Sequence, residues 1–372
     1  MRGELMAIFS DSGALLLIVF ATMIYSVIYS VAYGSEIVGD IPIAIVDEDN
    51  TPMSRSLVNG VDYGPDTRIG YETEGMSQAQ ELFYDGDVYG ILYIPKGYER
   101  SIISGKQANV SLMMDGAHLL IYSHIMKQGV ADILTTGAKV EMARLIRNGV
   151  DASAIPSLIE PVRYDAQVLY NPSLGYGSFV MPSVLMVIIQ QTMIIGVALV
   201  AVRRRQYRIV DAVDNPIITV LSKMVVYIMI YSITLICILG IIWPIFDFPN
   251  AGNIADVALL LVTYLAAVAS LSIALSHLFS HRESPLMLLL WSSVPVLLIA
   301  GVSYPYEAMP DWLYKIGRIL PSSSGVSGFI EINSMGASLA DVATEVNTLI
   351  VLTAIYLLFA IMCEYRYAKV KL

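Results

Sequence analysis

The chain has 372 residues, of which 56% are hydrophobic and only 15% are charged. Soluble domains carry about 25% charged residues, so this composition predicts an integral membrane protein. The formal net charge of −10 argues against a nucleic-acid partner. The two cysteines, Cys237 and Cys363, lie in hydrophobic runs, which indicates buried thiols and not a disulfide or metal site.

The first 34 residues predict an amphipathic elbow followed by a membrane span. Leu5, Ile8 and Phe9 share one helical face, so the segment before the span can lie in the membrane surface. The apolar run Ala14–Gly34 has two interpretations, a secretory signal peptide or a retained span. A signal peptide has a shorter apolar core and a cleavage site with small residues, so we favour the retained span.

Residues 35–175 form a polar, acidic region that predicts a compact α/β domain with a mixed sheet. Runs typical of strands alternate with runs typical of helices. The predicted strands are Ile41–Asp49, Thr67–Tyr71, Val88–Pro95, Asn109–Met114 and Val162–Tyr170. The predicted helices are Thr51–Val61, Ser77–Tyr84 with Ser77 as its cap, Gly97–Ser104, Ala117–Asn148 as one helix or two, and Ala154–Ile159.

Residues 176–372 predict five further transmembrane helices. The first of these, Met181–Arg205, is long enough to cross the hydrocarbon core and ends in Arg203, Arg204 and Arg205. The others are predicted at about Ile217–Trp243, Ile254–Phe279, Pro285–Ser303 and Asn347–Glu364. The predicted fold is therefore an α-helical membrane protein with six transmembrane helices and an extracytoplasmic α/β domain.

The distribution of Lys and Arg predicts the orientation. Six spans place both termini on one side. Ten basic residues fall in the short segments of that side: Arg2, Arg203, Arg204, Arg205, Arg208, Lys223, Arg282, Arg366, Lys369 and Lys371. Only Lys315 and Arg318 fall in the short segments of the other side. The positive-inside rule then places both termini in the cytoplasm and residues 35–175 outside.

No catalytic, cofactor or metal site is predicted within this chain. It has no GxxxxGK[ST] motif for ATP, no GxSxG and no HExxH. His277 and His281 are four residues apart, which favours interfacial positive charge over a metal site. The span centres hold no ionisable residue, and Gln190, Gln191, Tyr227 and Ser292 are the candidate residues of a transport pathway. For the two glutamines, a hydrogen bond between helices is the favoured interpretation.

A membrane pathway without an energy source implies a partner. The connection 203–222 is the longest predicted cytoplasmic loop between spans, and a short surface helix there could sit in a groove of a cytoplasmic motor. Its candidate contact residues are Arg203, Arg204, Arg205, Asp211, Asp214 and Pro216. The alternative, given equal weight, is a basic turn that only fixes the topology.

Four stretches, in order along nearly the whole chain, resemble the permease subunits of type-2 ABC exporters. IVDEDNTPMSRSLV (Ile45–Val58) is similar to the V-D-x-D-x-S-x-x-S-R-x-L opening of the external domain in that family. GDVYGILYIPKGYERSIISGKQANVSLMMDG (Gly86–Gly116) resembles its I-P-x-G-F stretch. YNPSLGYGSFVMPSVL (Tyr170–Leu185) and IAGVSYPYEAMPDWLYKIGRILPSS (Ile299–Ser323) resemble the entry to the second span and the motif after the fifth.

The resemblance implies a dimer of six-span permeases, identical or paired, and two cytoplasmic ATPase subunits that bind ATP and Mg. It implies export across a bacterial inner membrane of a drug-like, lipid or other substrate. The external domain would gate the exit or hand substrate to a periplasmic adaptor. Residues 304–346 would form an outer re-entrant segment, in which Pro305 and Pro310 break the helix, Met309 precedes the second proline and Trp312 suits the interface.

One segment departs from the family. Many members carry an acidic E-R-E-x-G-T-x-E segment after the second span, linked to contact with the ATPase. Here the segment reads VRRRQYRIVDAVDNPIITVLSK (Val202–Lys223), in which only Pro216 and Lys223 resemble the family. This indicates a specialised ATPase or a non-identical second permease.

Two other classes of function stay open at this stage. One is a membrane-anchored binding or sensory protein whose external domain recognises a ligand or partner. The other is a membrane enzyme acting on a lipid or cell-wall precursor, against which the lack of an interfacial carboxylate or histidine cluster argues.

Overall fold

A computed structural model describes residues 1–34, 39–162, 167–171, 175–207, 215–302, 304 and 306–370. The chain divides into two compact units. The helical unit comprises residues 1–36 and 168–372, and the α/β unit comprises residues 37–167. The elements, in chain order, are α1 (Arg2–Phe9), α2 (Ser12–Ala32), β1 (Ile41–Asp47), α3 (Pro52–Asp62), β2 (Thr67–Glu72), α4 (Met76–Asp85), β3 (Gly90–Ile94), α5 (Tyr98–Ile103), β4 (Ser111–Met114), α6 (Leu119–Arg147), α7 (Ile155–Ile159), α8 (Tyr176–Gln206), α9 (Pro216–Ile245), α10 (Ile254–Ser276), α11 (Ser284–Ile299), α12 (Asp311–Gly317), α13 (Pro321–Phe329) and α14 (Ala343–Val370).

The α/β unit is built on a four-stranded mixed sheet with the order β2-β1-β3-β4. β1 is parallel to both β2 and β3, and β3 is antiparallel to β4. Alternate residues of β1 point to opposite faces of the sheet. Ile41, Ile43 and Ile45 join a core with α3, α5 and α6, while Ala44 and Val46 join a second core with α4. A central strand buried on both faces explains the nearly unbroken apolar run that the sequence shows there.

The elements of the α/β unit follow the sequence pattern closely, with two exceptions. Ser77 does not cap α4; the N-cap is Gly75, and Ser77 lies within the helix. The strand predicted at Val162–Tyr170 does not form in the described part of that stretch, residues 162 and 167–170. The long helix predicted within 117–148 is a single helix, α6.

Five helices are long and apolar enough to cross a membrane, among the residues that the structure describes. They are α2, α8, the helix Pro216–Ile245, α10 and the Ala343–Tyr367 part of α14. The predicted fifth span is α11, which has only 16 residues. At 1.5 Å per residue it reaches about 24 Å, short of a ~30 Å hydrocarbon core, so six full-length spans are not confirmed. It ends where Gly301 adopts a φ of +77°.

Helix α8 is the centre of the helical unit. It has 31 residues, 24 of them buried, and it packs against α2, α10, α11 and α13. Pro182 lies inside α8, nearly two turns from its start. The approach of α2 is close: a Cβ added at Gly196 of α8 would lie 2.3 Å from Cγ1 of Ile18. Small residues at such contacts let helices approach each other in a membrane.

The segment after α11 contains short helices in place of a span. Pro310 is the N-cap of α12, and its carbonyl accepts the backbone N–H of Tyr314 at 3.1 Å. Met309 is buried, whereas the side chain of Trp312 is exposed. Pro305 lies outside the described residues. The re-entrant position predicted for 304–346 stays a prediction.

Candidate functional site

The candidate site is a layer of ion pairs at what we call the basic end of the helical unit. The basic end is defined by Arg203, Arg204 and Arg205 at the end of α8, Lys223 in α9, and Arg282 between α10 and α11. Each one finds an oxygen acceptor from another element.

The first cluster ties the elbow α1 to two membrane helices. Glu4 is only 5% exposed, and its carboxylate accepts hydrogen bonds from the Arg204 guanidinium and, at 2.6 Å, from the Tyr227 hydroxyl. Glu4 lies one turn from Ile8, which is fully buried, so the same face of α1 carries both the carboxylate and an apolar anchor. This contact joins α1, α8 and α9.

The second cluster is centred on Asp11, which is 3% exposed. Its carboxylate caps α2 by accepting the Gly13 and Ala14 N–H groups, and it accepts a 2.8 Å hydrogen bond from Arg282. Arg203 lies 3.6 Å from the other carboxylate oxygen. Burial alone would raise the pKa of Asp11, but the Ala14 N–H and the two guanidinium groups outweigh it and hold that pKa below its usual range.

Arg205 has a different role. It donates to the carbonyls of Ser276 and Phe279, at 2.6 and 2.8 Å. Ser276 is the last residue of α10, where the final turn leaves acceptors without an intrahelical partner, and Phe279 follows in the next turn of the chain. Arg205 therefore caps α10 with a cation, which the helix dipole also favours.

The third cluster joins α9, α10 and α14. Glu364 lies 3.0 Å from Lys223 Nζ and 3.3 Å from His277 Nε2. The His277 Nδ1 lies 2.9 Å from the Ile273 carbonyl. His277 is thus held between Glu364 and its own helix. Among the described residues there is no group of three or more His, Cys, Asp or Glu side chains that could hold a metal ion.

A column of hydroxyl groups continues from this layer into the bundle. Thr192 of α8 lies 3.1 Å from the hydroxyl of Thr22 in α2 and accepts a 3.1 Å hydrogen bond from the hydroxyl of Tyr231 in α9. All three side chains are buried. Buried polar groups between apolar helices fix their register, because an unpaired hydroxyl in that environment would be costly.

Two predicted pathway residues lie in the same buried helix. Gln190 accepts the Ser322 N–H at 2.8 Å and so caps the start of α13. Gln191 is also buried, and Ser292 of α11 is half-buried. Tyr227 belongs instead to the Glu4 cluster. A transport role for these four side chains stays a prediction.

The structure brings together residues that the sequence analysis assigned to two different roles. Arg204, a predicted partner contact, and Tyr227, a predicted pathway residue, meet at Glu4. Arg203 meets Asp11, and Pro216 begins α9 behind the capping side chain of Asn215. Asp211 and Asp214 lie outside the described residues.

Sequence reasoning missed Glu4, Asp11 and Glu364. The available signal was the presence of acidic residues at the ends of apolar runs facing the same predicted side as the arginines. Their pairing was not visible, because Glu4 and Arg204 are separated by 200 positions.

A buried layer of paired charges at one end of an apolar bundle defines a multi-pass membrane protein whose spans are held together at that end. Comparison with known protein families identifies the family of this membrane protein. A model described as "ABC-2 family transporter protein" matches residues 13–362, and the chain therefore belongs to that family.

Two relatives from Escherichia coli (strain K12) are similar to this chain. One is the "Probable multidrug ABC transporter permease YbhR", 27% identical over 191 residues, which cover 50% of this chain and 51% of the relative. The other is the "Inner membrane transport permease YhhJ", 22% identical over 371 residues, which cover 96% and 94%. The chain thus matches about half the length of the first relative and nearly all of the second.

Proposed function

We propose that this chain is the permease subunit of an ATP-driven exporter in a bacterial inner membrane, and that a separate ABC ATPase docks at its basic end. The family membership supports a transport role. The observation that carries the docking site is the ion-pair layer. It connects α1, α2, α8, α9, α10, Arg282 and α14 at one end of the unit.

Such a layer can transmit a displacement. Removing one partner of a buried ion pair costs about 3–5 kcal/mol. We therefore expect helix ends that are joined by such pairs to move together and not to separate. A partner that shifts the 203–216 segment would therefore move α8, and with it α1 through Glu4 and α2 through Asp11. Two such permeases, identical or paired, would enclose the pathway between them. ATP and Mg would be bound by the partner, not by this chain.

The substrate belongs to the drug-like, lipid or related compounds that a membrane pathway can accept. The α/β unit would face the periplasm and either gate the exit or hand substrate to an adaptor. These assignments follow the predicted orientation and the name of the YbhR relative, which is a probable multidrug permease.

Co-purification tests the proposal directly. The tagged chain, extracted from its native membrane with mild detergent, is expected to bring down an ABC ATPase whose hydrolysis rate rises when the two are reconstituted together. If no ATPase accompanies the chain, the proposal is wrong, and a binding or sensory role of the external domain becomes the better explanation.

A variant at the ion-pair layer tests the docking site. Glu4→Gln leaves the Arg204 guanidinium without its carboxylate, so we expect ATPase stimulation by the permease to fall severalfold. Arg2→Gln is the matched control, since Arg2 is exposed on the same helix and makes no ion pair with any described residue. Thermal unfolding of both variants separates lost coupling from lost folding. Equal stimulation by the wild type and a folded Glu4→Gln variant would remove the layer from the mechanism.

A further inference from the structure

A groove of about 710 Å³ lies at the basic end between the start of α9 and the last turns of α14. Residues 215–217 form one side, and Ile361, Met362, Tyr365 and Arg366 form the other. Pro216 begins one candidate membrane span, and Tyr367 ends another. The groove therefore lies at the level where the hydrocarbon core meets the headgroup region.

An exposed apolar stripe of α14 leads into this groove. It consists of Val351, Ile355, Leu358, Met362 and Tyr365, each 51–63% exposed. Their spacing alternates between three and four residues, so they lie on one face of the helix. A stripe of this kind on a membrane span faces lipid chains. Here it ends at Tyr365, next to Arg366.

Arg366 differs from the five cations that define the basic end. Arg203, Arg204, Arg282 and Lys223 each pair with a carboxylate, and Arg205 caps α10. Arg366 is exposed and makes no ion pair with any residue that the structure describes. Among the described residues it is therefore a cation without a carboxylate partner, and it lines an apolar groove. That combination matches an anionic headgroup attached to a hydrocarbon chain.

We propose that this groove binds one anionic phospholipid from the leaflet at the basic end. The lipid phosphate pairs with the Arg366 guanidinium, and an acyl chain lies along Ile217, Met362 and the stripe below them. A guanidinium can bind a phosphate through two parallel hydrogen bonds, whereas a lysine ammonium binds it as a point charge. An arginine at this position therefore suits a phosphate ligand.

The test uses the full chain in detergent and counts bound lipid by native mass spectrometry. The probe is phosphatidylglycerol, with phosphatidylcholine and glycerol phosphate as comparison ligands. Each basic residue near a membrane surface contributes about a fivefold factor to the binding of anionic lipid. We therefore expect Arg366→Gln to lower phosphatidylglycerol retention about fivefold or more, and Arg147→Gln, which removes the same charge from an exposed site in the α/β unit, to leave it unchanged.

A second variant tests the apolar half of the site without changing charge. Met362→Trp fills the groove and is expected to lower retention as well. Both positions are exposed, so folding should be unaffected, and thermal unfolding checks this. Equal losses in Arg366→Gln and Arg147→Gln would show that the effect comes from general surface charge and would overturn the proposal. Full retention in Met362→Trp, or equal competition by glycerol phosphate, would overturn it in favour of a soluble anion.

Discussion

Asp49 shows how a single carboxylate holds two separate loops of the α/β unit together. It accepts the backbone N–H groups of Gly97 and Glu99 at 2.7 and 2.9 Å, and the Thr51 hydroxyl at 2.9 Å. Gly97 has a φ of +83°, a conformation that favours glycine, and it is the N-cap of α5. The second aspartate of the VDEDN stretch and the glycine of the IPKG stretch therefore belong to one contact.

The pKa of Asp49 predicts a pH dependence of this contact. Partial burial alone would raise the pKa, but the Glu99 N–H, the Thr51 hydroxyl and the Gly97 N–H lower it below the usual value. A depressed folded-state pKa gives stability that is present above the unfolded pKa of about 3.9 and is lost as pH falls through the folded value. Asp49→Asn should therefore speed hydrogen exchange in α5 at pH 7, and this difference from the wild type should shrink as the pH is lowered toward 3.

Glu48→Gln is the control for this experiment. Glu48 is the exposed neighbour of Asp49 and accepts only from the Tyr93 hydroxyl, at 3.1 Å, among its side-chain contacts in the structure. Its exchange should match the wild type at both pH values after correction for intrinsic rates. A difference between Asp49→Asn and the wild type that persists unchanged at pH 3 would show that shape, and not charge, supports the contact.

At the scale of elements, the packing of α2 on α8 depends on one missing side chain. Gly196 leaves room for Ile18, which lies in a π-helical segment, Leu16–Ala21, of α2. The extra residue in a π turn changes which side chains face the neighbour. This places Ile18 against the glycine, and Thr22 farther along α2 within 3.1 Å of Thr192.

Gly196→Ala is expected to destabilise the helical unit by about 1–3 kcal/mol, because its methyl group would overlap Ile18 and force the helices apart. Thermal unfolding in detergent measures this. Gly240→Ala in α9 is the matched control, since an added Cβ there meets nothing within 4 Å. Combining Gly196→Ala with Ile18→Ala should cost less than the sum of the two single changes. Strict additivity would show that the two residues do not compete for space.

At the scale of the whole molecule, the charge distribution predicts which side each part faces. We expect the basic end in the cytoplasm and the α/β unit outside it. Tyr63 in the α/β unit is 86% exposed, and Tyr207 at the basic end is 71% exposed. After replacement of Cys237 and Cys363 by alanine, Tyr63→Cys should react with a membrane-impermeant maleimide in cells with a permeabilised outer membrane.

Tyr207→Cys is the internal comparison and should react only after the inner membrane is opened. Labelling of both variants in intact spheroplasts would contradict the predicted topology. Labelling of Tyr207→Cys alone would invert it.

The local elements were predictable because their signals are local. β1 to β4 and the long helices are predicted by the spacing of apolar residues and by turn residues, and both signals extend over only a few positions. α11 was predicted too long, since apolar composition continues through Ala300 to Val302 while the helix ends before Gly301. The strand predicted at Val162–Tyr170 is absent from residues 162 and 167–170, the part of it that the structure describes. β propensity depends on a neighbouring strand for its stabilisation, so a strand cannot be predicted from it alone.

The ion-pair layer could not be predicted in the same way. The arginine triplet was visible, but its partners come from α1, the start of α2 and the end of α10. Charge patterns identify the side of the membrane, whereas pairing depends on how six helix ends meet. The sequence predicted a partner contact at the loop 203–222, which stays a prediction, and it did not predict the packed layer that holds Arg203, Arg204 and Arg205.

The arginine triplet at the end of α8 also matters during membrane insertion, before the chain is folded. During insertion, Arg203, Arg204 and Arg205 are three unneutralised charges that can retain this end of α8 on one side of the membrane. In the folded protein each guanidinium has an acceptor inside the bundle. The signal that directs biogenesis is thus masked once assembly is complete. A quality-control factor that recognises exposed arginines near a membrane would distinguish an unfinished copy from a finished one.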